Sequence, residues 1–359
     1  MNIRNLAIIA HVDHGKTTLV DALLRQSGTF RSNEQVAERA MDSNDLERER
    51  GITILAKCTA VDWKGVRLNI VDTPGHADFG GEVERILGMV DGAVLLVDAA
   101  EGAMPQTKFV VMKALALGLK PIVVINKIDR PDARPDEVIN EVFDLFAALD
   151  ANDDQLDFPI LYASGRNGWT CETLDGPREN MESLFDLIVK HVPAPSVAGK
   201  TDEPFTLLAT ILEANPYLGR VLTGRIASGK IKLNMPAKAL SRDGSLIEEG
   251  RITKLLAFRG LKRVPVDEAE AGDIVSVAGF TTASVADTIA AMDATNPLPA
   301  MPVDPPTLAM TFSINDSPLA GKEGDKVTTR MIRARLMREA EGNVAIRVTD
   351  TENADSYEV

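Results

Sequence analysis

The sequence has few of the features that mark secreted or membrane-inserted proteins. It holds only two cysteines, Cys58 and Cys171, in 359 residues, too few for a disulfide framework, which favours a reducing compartment. No apolar run approaches the ~20 residues that a membrane span requires. The apolar run near the start, Leu6 to Ala10, is too short for the hydrophobic region of a secretory signal. We therefore expect a cytoplasmic chain without membrane contact.

Positive charge is also scarce. There are 39 basic and 53 acidic residues, a formal net charge of −14, which argues against a protein that coats bare nucleic acid through bulk charge. The charge is uneven, however: residues 220–263 hold eleven basic and three acidic side chains, and residues 322–347 hold seven and four. Two interpretations stay open, a solvated surface or local docking onto RNA. The candidate RNA contacts are Arg259, Lys262, Arg263, Arg330, Arg333, Arg335 and Arg338.

The length indicates two or three domains of roughly 100 to 200 residues each. Up to about residue 190, short apolar runs alternate with helix-like stretches, which is typical of a parallel sheet with helices on both faces. Prolines and a polar stretch then mark a linker, and residues 205–285 show short alternating strands separated by glycines, as in a small antiparallel barrel. We predict domains at residues 1–195, 196–300 and 301–359, the last an incomplete α+β unit.

Specific strands follow from the same pattern. The predicted core strands of the first domain are Leu6–Ala10, Leu68–Val71, Ala93–Val97, Pro121–Ile125 and Pro159–Tyr162. Trp63-Lys64-Gly65 separates two alternating runs and predicts a hairpin at the edge of this sheet. In the last domain we expect a strand at Leu308–Ile314, a helix at Val327–Glu341, a strand at Val344–Val348 and a strand-like end at Tyr357–Val359.

A phosphate-binding loop is predicted after the first strand. The segment AHVDHGKTT (10–18) follows a strand and opens a helix, the context that such a loop requires. Backbone N–H groups around Gly15 would face phosphate oxygens, Lys16 would reach the terminal phosphates, and the Thr17 hydroxyl would bind Mg²⁺. Ala10 replaces the usual first glycine, and Gly-Lys-Thr alone is a weak signal.

Two further motifs in order make the interpretation specific. Asp72-Thr73-Pro74-Gly75-His76 ends one predicted strand and Asn126-Lys127-Ile128-Asp129 ends another; open α/β sheets place ligands at such carboxyl ends. The second motif also selects the base. Guanine offers two adjacent donors that the Asp129 carboxylate accepts together, whereas adenine would leave that charge unpaired, so ATP is rejected. Ser164 and Gly165 are expected to support the base through backbone groups.

One histidine is a candidate catalytic residue. His76 follows the glycine that should face the terminal phosphate, so it would orient the attacking water or stabilise charge in the transition state. His191, Cys58, Cys171 and Trp63 are interpreted as structural.

The ordered set AHVDHGKTT (10–18), RERGITI (48–54), DTPGHADF (72–79), NKID (126–129) and YASGRNGW (162–169) resembles the translational GTPases of the elongation factor G and elongation factor Tu group, and within it the TypA/BipA branch. The resemblance covers essentially the whole chain. It implies an α/β P-loop GTPase domain followed by an antiparallel β-barrel domain and a partial α+β ferredoxin-like domain. The family's chain continues into further domains that carry much of the ribosome contact, so we expect this chain to be an N-terminal portion.

The resemblance also implies roles residue by residue. Thr53 would join Thr17 on Mg²⁺ only when GTP is bound, and Val12 and Ile52 would flank His76 as an apolar gate. Asp13 would bind phosphate and place a monovalent cation beside it, and Ala10 is usual in the elongation factor G branch. The implied nucleotide-binding residues are Asp13, His14, Gly15, Lys16, Thr17, Thr18, Asp72, Gly75, Asn126, Lys127, Ile128, Asp129, Ser164, Gly165 and Arg166, with His76 and Lys16 catalytic.

These residues predict a GTPase that uses GTP/GDP and Mg²⁺ as a switch. By resemblance its partner is the ribosome, both rRNA and ribosomal proteins, in translation, ribosome assembly or stress response. tRNA contact is expected only in a complete protein, and the chain is expected to be a monomer. Two alternatives remain: an elongation or release factor, and a GTP-dependent binding module in which turnover does not matter.

Overall fold

The computed structural model describes residues 2–28, 47, 49, 53, 56–74, 80–300, 308–315, 317–319, 321–322, 328–342, 346–351 and 355–359. The chain forms two compact units. Unit 1 comprises residues 1–203, 225–230 and 256–275, and unit 2 comprises residues 204–224, 231–255 and 276–359.

Unit 1 contains a mostly parallel sheet. Its strands are β1 (Ile3–Ala10), β2 (Lys57–Trp63), β3 (Val66–Asp72), β4 (Gly92–Asp98), β5 (Pro121–Asn126), β6 (Ile160–Ser164) and β7 (Trp169–Cys171). The order is β2-β3-β1-β4-β5-β6-β7. Neighbours from β3 to β6 are parallel, and the edge strands β2 and β7 are antiparallel to their neighbours. The five predicted core strands are confirmed, with ends that differ by a few residues.

The helices of unit 1 alternate with these strands. They are α1 (Lys16–Gln26), α2 (Gly80–Leu87), α3 (Pro105–Ala116), α4 (Pro135–Ala148), α5 (Asp153–Leu156) and α6 (Glu182–His191). Both α3 and α4 begin at a proline, whose fixed φ suits a first helical turn. Among the described residues, no helix has both the length and the apolar character needed to cross a membrane.

Helices on both faces explain the composition of the strands. Every residue of β4 and β5 is buried, which is why both read as near-continuous apolar runs. On one face, α1 packs Leu19 and Leu23 against Leu6 and Ile8 of β1, and Phe185 of α6 joins the same core. This packing holds the strand β1 and the helix α1 on either side of the predicted phosphate-binding loop.

The predicted hairpin at the sheet edge is confirmed. Lys64 and Gly65 turn with φ of 48° and 81°, the left-handed pair that tight hairpins need. The Trp63 indole N–H donates to Asp186 at 2.8 Å, and the ring stacks on Phe185 with centroids 4.5 Å apart. The turn between β2 and β3 is thus attached to helix α6.

A second hairpin contacts strand β2 from outside the first 203 residues. It consists of β14 (Lys254–Arg259) and β15 (Lys262–Pro265). At its tip, the Gly260 N–H donates to the Ala60 carbonyl at 2.7 Å, and the Thr59 hydroxyl donates to the Gly260 carbonyl at 2.6 Å. Leu261 packs against the core of the sheet. The hairpin tip therefore pairs with a strand that would otherwise have an open edge.

The remaining strands after residue 203 are antiparallel where they lie in unit 2, as the barrel prediction requires. They are β8 (Thr206–Leu208), β9 (Ile211–Asn215), β10 (Gly219–Ser228), β11 (Lys230–Lys232), β12 (Pro236–Leu240), β13 (Leu246–Arg251), β16 (Glu268–Glu270), β17 (Ile274–Ala278) and β18 (Thr288–Ala291). Within unit 2, β13-β12-β18-β8 run antiparallel side by side, and β9 forms a hairpin with β10.

The last part of the chain is a small α+β element. It holds β19 (Thr311–Ser313), α7 (Thr329–Gly342), β20 (Thr349–Asp350) and β21 (Ser356–Glu358). The strands are antiparallel in the order β19-β21-β20. The predicted strand Val344–Val348 is wrong over 346–348, which form no strand, because pairing with β21 begins only at Thr349; residues 344 and 345 lie outside the described residues.

Candidate nucleotide-binding site

A cavity of about 540 Å³ opens at the carboxyl ends of the parallel strands of unit 1. Three separate predicted motifs meet there, together with Thr53. The cavity is large enough for a small-molecule ligand. Its lining residues are His11, Val12, Asp13, Gly15, Lys16, Thr17, Thr18, Thr53, Asn126, Lys127, Asp129, Arg130, Ser164, Gly165 and Arg166.

The loop between β1 and α1 has the backbone of an anion-binding site. Asp13 and Gly15 have φ of 64° and 92°, and Gly15 caps helix α1 directly. A helix beginning at Lys16 leaves the first-turn N–H groups, including those of Thr17 and Thr18, without partners inside the helix. Such N–H groups, with the positive end of the helix dipole, favour negatively charged oxygens.

The residues predicted to meet phosphate and metal lie together. Lys16 forms an ion pair with Asp72, which is fully buried. The Lys16 ammonium also lies 3.4 Å from the Thr53 hydroxyl, and the hydroxyls of Thr53 and Thr17 are 3.5 Å apart. Adjacent oxygen ligands of an octahedral Mg²⁺ are about 3 Å apart. The two hydroxyls therefore fit this metal with a small adjustment, and the Asp72 carboxylate lies close by through its ion pair with Lys16.

Asn126 joins the phosphate loop to the loop after β6. Its side-chain amide donates to the His14 carbonyl at 2.8 Å, and its side-chain oxygen accepts from the Gly165 N–H at 2.9 Å. The Gly165 N–H is therefore engaged by Asn126, a contact that the sequence did not indicate. Asn126 is only 2% exposed, and such a buried bridge fixes the spacing of both loops.

Lys127 makes a second connection. Its ammonium donates to the Asp13 carbonyl at 2.6 Å and pairs with the Asp98 carboxylate at 2.7 Å. Lys127 has a φ of 62°, an uncommon conformation for a residue other than glycine. Arg130 adds a longer contact to Asp98 at 3.4 Å.

Asp98 is an important residue that sequence reasoning missed. It is fully buried at the end of β4 and accepts from the Ala100 N–H at 2.7 Å. Burial would raise the pKa of this carboxyl, but hydrogen bonds from Lys127 and from the Ala100 backbone outweigh it and lower the pKa below its usual value. A signal existed, because Asp98 ends a parallel strand next to β1 in the same way as Asp72 and Asn126.

The side chain of His14, a residue of the phosphate loop, is buried in the protein interior. Its ring is fully buried, and Nδ1 accepts from the Asp98 N–H at 3.3 Å. Burial lowers the pKa of His14 below its usual 6.5, so the ring is neutral near pH 7. Nδ1 also lies 3.5 Å from the Leu96 carbonyl, and Nε2 lies 3.5 Å from the Glu101 carboxylate. Any contact of His14 with a ligand in the cavity therefore comes from its backbone.

The residues predicted to read the base are at one end of the cavity. Asp129 is exposed and faces Ser164 and the loop that follows it. The Asn167 amide donates to Asp129 Oδ2 at 3.3 Å and to the Ser164 hydroxyl at 2.9 Å. Asn167 was not predicted as a site residue, although it belongs to the YASGRNGW motif.

The other predicted residues divide into three groups. Arg166 lines the cavity and is exposed, whereas Ile128 is half-buried and its N–H donates to the Ala163 carbonyl. Val12, half of the predicted apolar gate, also lines the cavity. The predicted roles of Gly75, His76 and Ile52 concern positions that lie outside the described residues.

Comparison with known proteins places these motifs in a family. Residues 1–194 match the model of the elongation factor Tu GTP-binding domain, and residues 219–290 match elongation factor Tu domain 2. A crystal structure of a Thermus thermophilus protein shares the fold over 99% of this chain and 63% of its own, with a TM-score of 0.71 and 18% identity.

Three curated relatives carry the name large ribosomal subunit assembly factor BipA. The Synechocystis protein is 58% identical over 99% of this chain, the Bacillus subtilis protein 55% over 100%, and one Escherichia coli protein 54% over 99%. The chain spans only 58–59% of the length of these relatives. The expected resemblance to the TypA/BipA branch is confirmed, and the chain belongs to the translational GTPase family of the elongation factor Tu GTP-binding domain.

Proposed function

We propose that this chain binds GTP in the cavity of unit 1 and hydrolyses it to GDP as a conformational switch. The observation that carries the proposal is the convergence of the phosphate loop, Thr53, the NKID motif and the loop after β6 at one cavity. Asp72 is paired with Lys16 of the phosphate loop, and residues 1–194 match the GTP-binding domain of elongation factor Tu.

The base is proposed to bind between Asp129 and the loop after β6. The Asp129 carboxylate would accept from both guanine donors, while Asn126 holds the two surrounding loops in place. An adenine base would present an acceptor at N1 to the Asp129 carboxylate and so could not replace the two guanine donors. We therefore expect strong preference for GTP over ATP.

The phosphates are proposed to bind along the N-terminus of α1. Lys16 is already within reach of Asp72 and Thr53, so its ammonium would move from the carboxylate to terminal phosphate oxygens. Thr17 and Thr53 would hold Mg²⁺ with phosphate oxygens, and Asp72 would support it; the bound metal would neutralise charge on the phosphates. A monovalent cation beside Asp13 remains part of the proposal.

Hydrolysis is proposed to depend on positioning. His76 would orient the attacking water, and Lys16 would stabilise charge on the transferred group. The contact of Thr53 with Thr17 links the segment before β2 to the state of the terminal phosphate. Loss of that phosphate would release Thr53, which is the switching event.

The experiment compares nucleotide binding and turnover in wild-type chain and His76→Ala. Wild type should bind GTP and GDP and reject ADP and ATP, and His76→Ala should lose hydrolysis stimulated by ribosomes while its GTP affinity changes little. Equal loss of binding and turnover in His76→Ala would contradict the catalytic assignment. Tight GTP binding with no single-turnover hydrolysis on ribosomes would favour the non-enzymatic binding module.

The ribosome is the proposed partner, because the curated relatives are named assembly factors of the large ribosomal subunit. A ribosomal partner implies work in the cytoplasm. We propose assembly of the large subunit as the process served, with an elongation or release role as the alternative. Since the chain spans 59% of one such relative, ribosome binding should be measured with this chain and with a full-length relative in parallel.

A further inference from the structure

Asn167 holds the carboxylate that is proposed to read the base. The two hydrogens of its side-chain amide are directed to Asp129 Oδ2, at 3.3 Å, and to the Ser164 hydroxyl, at 2.9 Å. The backbone N–H of Asn167 donates to the same hydroxyl at 3.3 Å. Asn167 thus joins the end of β6 to a side chain that follows β5.

The loop that carries Asn167 is itself firmly attached. It connects β6 to β7, whose terminal residues Ser164 and Trp169 pair directly. Inside the loop, the Gly168 N–H donates to the Ser164 carbonyl at 2.8 Å, and Gly168 turns with a φ of 73°. From outside, the Gln26 side chain at the end of α1 donates to the Gly168 carbonyl at 2.6 Å.

The residues at the two ends of the β6–β7 loop are tightly packed, which also holds the loop in place. Trp169 is only 6% exposed, and the Arg178 guanidinium lies 5.0 Å from the centre of its ring. Ser164 is 1% exposed. Asn167 therefore projects from a short hairpin with a buried base, which is a rigid support for a side chain that must position another.

Asp129 needs such support because it is exposed at the mouth of the cavity. A free carboxylate rotates about two bonds, and a ligand that requires one orientation loses part of its binding free energy in selecting it. A donor on one oxygen restricts that rotation. It leaves the remaining lone pairs of the carboxylate available to the two adjacent donors of a guanine.

We propose that Asn167 is a positioning residue that orients Asp129 for guanine, so that it sets the preference for the base without contacting the phosphates. The inference rests on the proposed GTP site and assigns to Asn167 the discrimination made by that site. It predicts that loss of the Asn167 side chain lowers the affinity most for guanine, which offers both the N1–H and the 2-amino donor. Hypoxanthine, which lacks the 2-amino group, keeps only the N1–H donor and depends less on the orientation of the carboxylate.

The test measures the affinities of wild type, Asn167→Ala and Asn167→Asp for GDP, inosine diphosphate and ADP, by titration calorimetry. Asn167→Ala should lose about tenfold in GDP affinity, since a hydrogen bond to a charged group is removed, and should lose less for inosine diphosphate. Asn167→Asp, which places a second carboxylate beside Asp129, should lose more GDP affinity than the alanine variant. The ratio of the GDP and inosine diphosphate affinities is the decisive quantity.

Controls separate this inference from the proposed function. Asn296→Ala, an exposed asparagine in unit 2, should match wild type for every nucleotide. If wild type fails to prefer GDP over ADP, the proposed function is wrong. If wild type prefers GDP over ADP but Asn167→Ala has the wild-type ratio of GDP to inosine diphosphate affinity, only the positioning role of Asn167 is overturned.

Discussion

Gly15 shows how a single residue determines the shape of the phosphate loop. Its φ of 92° lies in the left-handed region, and a Cβ at this position would be 2.6 Å from the Asn126 side-chain nitrogen. A larger residue would therefore strain the backbone and push away the amide that joins the phosphate loop to the loop after β6. Gly165, on the other side of Asn126, has room: a Cβ there would make contacts of 3.4 Å or more.

Replacement of Gly15 or Gly165 by alanine is predicted to have opposite effects on the free energy of unfolding. Gly15→Ala should lower the free energy of unfolding by about 1–3 kcal/mol because of backbone strain and the close contact. Gly165→Ala should leave stability unchanged or raise it by up to ~1 kcal/mol, because alanine restricts the unfolded chain more than glycine does. Urea unfolding followed by circular dichroism measures both. Equal destabilisation by the two substitutions would contradict this account of the loop.

At the scale of elements, the ends of β4 and β5 support the phosphate loop from below. Asp98, at the end of β4, forms an ion pair with Lys127, which directly follows β5. The Lys127 ammonium also donates a hydrogen bond to the Asp13 carbonyl of the phosphate loop. His14 packs on the same strand end through the Asp98 N–H. The loop conformation thus depends on two neighbouring strands as well as on its own sequence.

The buried imidazole of His14 predicts a pH dependence of stability. Burial lowers the folded-state pKa of His14 below 6.5, so as pH falls the unfolded chain takes up this proton first. The contribution of the neutral ring is fully present above about pH 6.5 and is lost as pH falls from there toward the lower folded-state pKa. His14→Asn keeps an acceptor for the Asp98 N–H and does not titrate.

Urea unfolding at about pH 7.5 and about pH 5.5, on either side of the ordinary histidine pKa, tests this. Wild type should lose more stability between these values than His14→Asn does. His191, whose pKa burial also lowers, is present in both proteins and cancels in the comparison. The same loss in both proteins would exclude His14 as the source.

Strand β2 connects parts of the site that are distant in sequence. It starts four residues after Thr53, and its hairpin partner β3 ends at Asp72. Its outer edge pairs with Gly260 of the hairpin β14–β15.

At the scale of the whole molecule, the structure divides the basic residues into different environments. Lys262 and Arg263 are exposed on β15, with Arg263 5.5 Å from the ring centre of Phe258. Arg259 is half-buried, and burial together with the neighbouring Arg67 lowers the pKa of its guanidinium. Arg333 and Arg335 of α7 are exposed but form ion pairs with Asp350 and Glu339. Lys262 and Arg263 are exposed basic side chains of one hairpin, so RNA docking can be tested directly on them.

Charge reversal at Lys262 is the cleaner test of RNA docking, because reversal at Arg259 would also disturb a half-buried site. If the hairpin docks onto RNA, Lys262→Glu should weaken binding to ribosomal RNA and reduce the slope of log affinity against log salt concentration by about one. Filter binding between about 50 and 200 mM salt measures this. Lys108→Glu, on the exposed face of α3, is the matched control. No difference between the two variants would favour a solvated surface.

Local sequence patterns were enough to predict the strands of the parallel sheet and the motifs at their ends. Buried strands require near-continuous apolar runs, and a loop that binds phosphate requires glycine, lysine and a hydroxyl at defined spacing. Both signals are local, so Pro121–Ile125, Gly15 and Lys16 could be recognised without a structure. The predicted domain boundaries at residues 195 and 300 stay predictions.

The side chains that support those motifs became visible only in the folded chain. Asp98 and Asn167 act on Lys127 and Asp129 across gaps of 29 and 38 residues, and Gly260 pairs with Ala60 from a hairpin far along the chain. Contacts of this kind depend on how strands are ordered in the sheet and on which way each loop turns. No local pattern encodes them, because their free energy arises only when distant segments have been brought together and dehydrated.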